Sequence, residues 1–286
     1  MIIDTHQHFW HIGMGDAKAP EDHKIKGLPE GICGTILRFH ENQWCLDLAA
    51  EEPYIVGVCG GIKSGPDFAS DLEKFSADPL FLGISCSGKE LENIENSNVL
   101  SDYQLLADKD LELDVLRAIP TFYGGPKEMQ AFKGTEDSMA GLFKIAERIP
   151  NLRIVIQHAG GMPIDGGPVP KEWETIYRRL AEHPNFFIKV SGLMERDATR
   201  PENEKATELL SFYRPFLETL WDIFGEDKLF YASNWPVCEH VGDFMSNSLR
   251  FLRPFFAEKG NEAYEKFFWK NSKKVYKWNP RLPSQQ

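Results

Sequence analysis

The chain has 286 residues, 42% of them hydrophobic, enough for one large α/β barrel or two average domains. Its 43 Asp and Glu against 32 Lys and Arg leave a net charge of -11, which argues against nucleic acid or an anionic membrane as partner. An acidic small molecule stays admissible, because a local group of cations can hold one. Cys33, Cys45, Cys59, Cys86 and Cys238 are widely spaced with no Cys-x-x-Cys pair. They predict buried thiols in a reducing compartment, not a disulfide frame or zinc knuckle. No basic leader followed by an apolar core opens the chain, and no apolar run reaches membrane-spanning length, so the expected location is the cytoplasm.

Eight short apolar runs read as strands: Met1 to His6, Thr35 to Phe39, Ile55 to Cys59, Leu80 to Ser85, Leu111 to Leu116, Arg153 to His158, Phe186 to Val190, and Leu229 to Ser233. They lack the strict alternation of a half-solvated sheet, as expected of strands buried on both faces. Helical spacing lies between them. Phe68, Leu72 and Phe75 follow a Gly-Pro start; Met139, Leu142, Phe143, Ala146 and Ile149 share a face, as do Trp173, Ile176, Tyr177 and Leu180. Leu209 to Phe224 reads as a helix that Pro215 breaks or kinks and Gly225 caps, and Asn261 as the cap of a last helix running towards Val275.

Alternation of this kind implies parallel strands with right-handed crossovers. An open doubly wound sheet competes with a closed (β/α)8 TIM barrel, and two features favour closure. Polar residues stand at many strand ends (His6, His40, Arg117, His158, Lys189, Asn234), where a barrel keeps its chemistry, and no Gly-x-Gly-x-x-Gly follows the first strand. No linker divides the chain, so residues 1–286 are expected to form one domain.

His6 and His8 lie two apart on an extended strand, which turns both imidazoles to one side, towards one ion or substrate oxygen. Among eight histidines such a pair arises readily by chance; its place at the exit of the first buried strand, with Asp4 before it, gives it weight. His158 closes a strand and precedes Ala159-Gly160-Gly161, which let the chain turn sharply. Asn234 ends the last strand, where it serves the site or an Asx-turn. Lys189 is a charge in a buried run, and it either binds an anionic group or pairs with a carboxylate. Arg38, His40, Glu41 and Arg117 are further candidates for polar contacts, and Trp10 and Trp235 for apolar walls on which a sugar-like ring packs. Each also has a structural reading, as core, cap or ion pair.

Read in order, Ile3-Asp4-Thr5-His6-Gln7-His8-Phe9-Trp10, Gln157-His158-Ala159-Gly160, Lys189-Val190-Ser191-Gly192-Leu193 and Ala232-Ser233-Asn234-Trp235-Pro236-Val237 resemble the amidohydrolase superfamily. More narrowly, they are similar to its amidohydrolase-related branch, which holds sugar-acid lactonases and the pyrone-dicarboxylate lactonase. The resemblance implies that His6, His8 and His158 match the first- and sixth-strand histidines, and Asn234 the eighth-strand acid. It departs from the pattern twice. The fourth and fifth strands offer Ile84-Ser85-Cys86 and Val115-Leu116-Arg117 in place of the ligands of a second metal. The implied cofactor is therefore none, or one divalent ion such as zinc on His6, His8 and His158. The family pattern also ends Ser-Asp-Trp-Pro, where this chain has Ser233-Asn234-Trp235-Pro236. A neutral amide takes no proton from water, and losing a general base costs roughly 10² to 10⁴ in rate.

The expected activity is hydrolysis of a lactone of a sugar acid or related carboxylic acid. The three histidines would polarise the carbonyl, position 234 would orient water, and Lys189 with Arg38 or Arg117 would hold substrate oxygens. Asn234 leaves three alternatives open: a lactone isomerase without net hydrolysis, an impaired or engineered Asp→Asn form, and a ligand-binding protein. A decarboxylase fits less well. The expected partners are a small-molecule lactone or sugar acid and, as a homo-oligomer, further copies of the chain.

Overall fold

The computed structural model describes residues 1–9, 31–38, 41–92, 94–120, 134–201, 204–242 and 247–286. Eight strands, β1 (Ile2–Gln7), β2 (Ile32–Arg38), β3 (Ile55–Gly60), β4 (Phe81–Ser87), β5 (Glu112–Leu116), β6 (Arg153–Ile156), β7 (Phe186–Val190) and β8 (Leu229–Tyr231), run parallel and pair in chain order. The two ends of the sheet meet. Gln7 bridges Trp235, the His8 backbone N–H donates to the Trp235 carbonyl at 2.8 Å, and the Thr5 hydroxyl donates to the Tyr231 carbonyl at 2.7 Å. The closed (β/α)8 reading holds, and all eight predicted strands are present.

Burial on both faces explains why the strands read as continuous apolar runs. One set of side chains, including Leu37, Val58, Ile84, Leu113, Ile154 and Ile188, packs outward under the helices. A second set, including Ile3, Ile36, Val155, Phe187 and Phe230, packs with Val275, Tyr276 and Trp278 from the C-terminal segment. Arg153, the first residue of β6, donates to the Val275 carbonyl at 2.6 Å, and Gln285 donates to the Cys33 carbonyl near the start of β2 at 2.9 Å, so the C-terminal segment closes the N-terminal end of the barrel. Among the described residues no helix is long and apolar enough to cross a membrane.

Nine helices are described, of which six shape the argument: α1 (Asn42–Glu51), α2 (Phe68–Ser76), α3 (Val99–Asp108), α4 (Glu136–Arg148), α5 (Lys171–Glu182) and α6 (Leu210–Phe224). The three predicted apolar faces are the buried ones. Leu142, Phe143 and Ala146 of α4, Trp173, Tyr177 and Leu180 of α5, and Phe68 and Leu72 of α2 are all buried.

Four expectations change. Helix α6 runs unbroken through Pro215, which lies in its second turn; Gly225 does end it, donating to the Trp221 carbonyl at 2.8 Å. Asn261 is inside its helix, not before it: Gly260, with φ of 101°, holds the cap position. Cys33 is half-buried, whereas the other four free thiols are buried. Finally, β6 stops at Ile156 and β8 at Tyr231, short of His158 and Ser233. The backbone leaves the sheet early to aim the residues that follow.

Candidate active site

The mouth is marked by its backbone. Arg117, His158, Ala159 and Asn234 all adopt positive φ, between 47° and 64°, just past the ends of β5, β6 and β8. Left-handed conformations are costly for residues with a Cβ, and they cluster where surrounding structure holds functional groups in place. The turn at His158 and Ala159 is held by the buried Tyr177 of α5, whose hydroxyl donates to the Ala159 carbonyl at 2.7 Å. Gly192, with φ of 63°, lies against the His158 ring; a Cβ there would stand 3.2 Å from Nδ1. A side chain at this position would push the imidazole away.

Within this frame the three predicted histidines come together. His6 and His8 bring their Nε2 atoms to 2.9 Å, as the His-x-His spacing requires, and the His158 ring centre lies 4.8 Å from that of His6. Their partners constrain their tautomers. His8 Nδ1 stands 3.2 Å from the Arg38 carbonyl, which only accepts, so the proton is on Nδ1 and the lone pair on Nε2. His6 Nε2 then donates to His8, which leaves the buried His6 Nδ1 without a hydrogen-bond partner among the described residues. His158 Nδ1 pairs with the Ser191 hydroxyl at 2.8 Å.

All three rings are kept neutral. Burial holds His6 well below the usual histidine range, with His8 and Lys189 adding to it; burial and then Arg38 bring His8 down to about 4. Burial, followed by Arg196, does the same for His158. Neutral imidazoles are lone-pair donors, the form a divalent ion requires. With the His6 proton moved to its unpartnered Nδ1, the Nε2 atoms of His6 and His8 would both turn lone pairs to one such ion, and His158 would supply a third imidazole. Among the described residues the three do not bring one nitrogen each within 4.8 Å; only Cys59, Glu112 and Asp114 are that close as a potential ligand set.

That set lies inside the barrel and is occupied by protein cations. Asp114 pairs with Lys189 at 2.7 Å and with Arg38, and it accepts from the Tyr276 hydroxyl at 3.0 Å; the Cys59 thiol donates to Glu112 at 2.6 Å. We read it as a charge network beneath the mouth. Lys189 therefore pairs with a carboxylate, and its ammonium also donates to the Thr5 carbonyl at 3.1 Å. Arg38 is equally buried, so neither forms a surface ion pair.

Asn234 is placed by both its backbone and its side chain. Its N–H donates to the His6 carbonyl at 3.1 Å, its side chain bonds His8, and its Nδ2 donates to Glu195 Oε1 at 2.8 Å. Sequence reading missed Glu195, which sits in the turn Met194–Arg196 after β7. Its only signal was a position five residues past the strand end, on a loop of the catalytic face. Trp235 is buried, donates from Nε1 to Glu239 at 2.7 Å and packs edge-on against Phe9. Arg117 is exposed at the end of β5, and Glu41 precedes α1. Trp10, His40 and most of the segment from Lys18 to Gly31 lie outside the described residues. The segment Ser87 to Asn98 winds into short turns, the first closed by a Ser87–Glu90 capping box.

A separate cleft, lined by none of His6, His8, His158, Glu195 and Asn234, extends along the loops after β6 and β7. It measures ≈ 590 Å³ and is lined by Asp165, Asp197, Thr199, Arg200, Lys205 and Phe212 among others.

A parallel eight-stranded barrel with imidazoles gathered over its C-terminal rim defines a class of enzyme that works on polarised carbonyl or related groups. Comparison with known proteins narrows this. Residues 33–278 match the amidohydrolase family model, and the chain belongs to that family. It is 26% identical over 264 residues to the L-fucono-1,5-lactonase of Burkholderia ambifaria, covering 85% of this chain and 82% of that one. A 106-residue stretch, 33% of this chain and 30% of the other, is 26% identical to the L-rhamnono-gamma-lactonase of Scheffersomyces stipitis. Among solved structures, an amidohydrolase from Burkholderia multivorans with bound HEPES superposes with a TM-score of 0.75 at 18% identity, over 98% of this chain and 100% of that one; a zinc-bound form gives 0.71.

Proposed function

We propose that this enzyme hydrolyses the ester bond of a sugar-acid lactone. The observation that carries the reading is the convergence of His6, His8 and His158, all neutral, at the mouth of a barrel whose sequence relatives include two sugar-acid lactonases. The lactone carbonyl oxygen is placed against these imidazoles, where charge develops as water adds to the carbon. Of the three, His158 would turn an N–H to that oxygen, its Nδ1 accepting from the Ser191 hydroxyl, and stabilise the charge as in an oxyanion hole. One divalent ion, bound by His6 and His8 through Nε2 with His158 beside them, would supply Lewis acidity to the same oxygen.

Asn234 orients water, since its amide is fixed at both ends by His8 and Glu195. Arg117 and Trp235 bound the substrate position, while Arg38 and Lys189 act from below by setting the potential under the histidines. A panel of sugar lactones with metal content measured on the same sample tests the reading; acid release by the enzyme is expected, and its absence on every lactone refutes it. An isomerase that moves the ring between hydroxyls is the second reading, favoured by the amide at position 234.

A further inference from the structure

An amide at position 234 removes the carboxylate that the family pattern puts there, yet a carboxylate is still present one side chain away. Glu195 reaches back from the turn after β7, and its Oε1 accepts the Asn234 Nδ2 proton at 2.8 Å. The bond fixes which way the amide points, with its nitrogen towards Glu195. The order across the mouth is thus imidazole, amide, carboxylate. Glu195 is half-buried; burial raises its carboxyl, and the Asn234 hydrogen bond with Arg196 and Arg200 nearby draws it back. With hydrogen bonds accepted from Asn234 and from its own backbone N–H, an ionised carboxylate with about four lone-pair sites retains acceptor capacity for a water molecule beside Asn234.

Building on the lactonase reading, we propose that Glu195 is the general base of this enzyme, in place of the missing eighth-strand acid. Glu195 takes one proton from a water that Asn234 orients, as the water oxygen forms a bond to the lactone carbonyl carbon. The carbonyl electron pair moves onto oxygen beside the histidines. When that pair returns, the ring carbon–oxygen bond breaks, and the leaving alkoxide takes the proton back from Glu195. Lactone and water become one hydroxy acid, and Glu195 is again a carboxylate. A change of position, not a loss of function, then explains the Asn at 234.

The test uses the full-length enzyme and the lactone it turns over fastest. Glu195→Gln is expected to lower kcat by roughly 10² to 10⁴ with little change in KM. Asn234→Asp alone sets two carboxylates against each other and is also expected to lose rate, whereas the double variant Glu195→Gln/Asn234→Asp, which carries its carboxylate at 234, recovers at least tenfold over Glu195→Gln. A merely structural bond is separated by Glu195→Ala with added formate. A formate-dependent rise in the variant's rate, absent in wild type, is expected of a missing base. Glu195→Gln retaining wild-type kcat, or Glu195→Ala that formate does not restore, overturns the inference while wild-type turnover leaves the lactonase reading intact. A wild type inactive on every lactone overturns that reading and this inference with it.

Discussion

Asp4 Oδ1 accepts the Ser233 backbone N–H at 2.9 Å, and this bond ties the first strand of the barrel to the chain leaving the last. The same carboxylate accepts from the His6 backbone N–H at 3.2 Å and the Gln7 side chain at 2.8 Å. One fully buried side chain thus sets the position of both His6 and Asn234, although it touches neither imidazole nor amide. Its carboxyl is raised by burial and drawn back by these hydrogen bonds.

Asp4→Ala strands these donors inside the protein. Each unsatisfied buried donor costs about 1–3 kcal/mol, so urea unfolding is expected to show a loss of about 3 kcal/mol or more. Asp4→Asn keeps an acceptor and is expected to lose less.

Asp114 is the anion on which two buried cations depend, Lys189 at 2.7 Å and Arg38. Removing one partner of a buried ion pair costs about 3–5 kcal/mol, because the remaining charge is left uncompensated. Asp114→Ala is expected to lose at least that much in urea unfolding. Lys189→Met, which removes one of two cations around the same carboxylate and retains volume, is expected to lose less.

Glu112 gives the fold a pH signature. Burial pushes its carboxyl up to about 7, against the pull of Arg38 and Lys189. A raised acid binds a proton more tightly in the folded state than in the unfolded one, whose value is near 4.5. Its contribution is therefore full below about 4.5 and is lost as pH rises towards about 7. Glu112→Gln abolishes this dependence. The variant's stability relative to wild type is expected to rise between pH 5 and pH 8 by on the order of 2 kcal/mol. Urea curves at both pH values check it, and a relative stability independent of pH contradicts it.

Ser191 holds His158 from behind at 2.8 Å. Groups that orient a functional imidazole typically contribute about 10- to 100-fold to activity or ion affinity. Ser191→Ala is expected to lower kcat/KM in that range while leaving the thermal midpoint within a few degrees.

The barrel was legible in the sequence because buried parallel strands and amphipathic helices leave strong, repeated patterns, as Phe186–Val190 and Lys171–Glu182 do. That His6, His8 and His158 share one rim was legible too, because each stands near the end of a strand that the pattern locates. Glu195 was not, because nothing local distinguishes a loop glutamate that folds back onto Asn234 from one that faces solvent. Lys189 was only half legible. Its rarity in a buried run announced a partner, but Asp114, also within an apolar strand and 75 residues away, could be paired with it only by the closed barrel. Pro215 misled because the helix tolerates the one hydrogen bond lost there, held by the buried face of Tyr213, Phe216, Leu217, Leu220 and Phe224.

The proposed reaction is net addition of water to a lactone at the His6, His8 and His158 mouth. The most direct measurement follows 1,5- and γ-lactones of sugar acids by NMR, with acid release recorded on the same sample by a pH indicator. One hydroxy acid and one acid equivalent are expected for each lactone consumed, with His6→Ala abolishing both. Interconversion of ring sizes without acid release, or no change in any lactone, contradicts it.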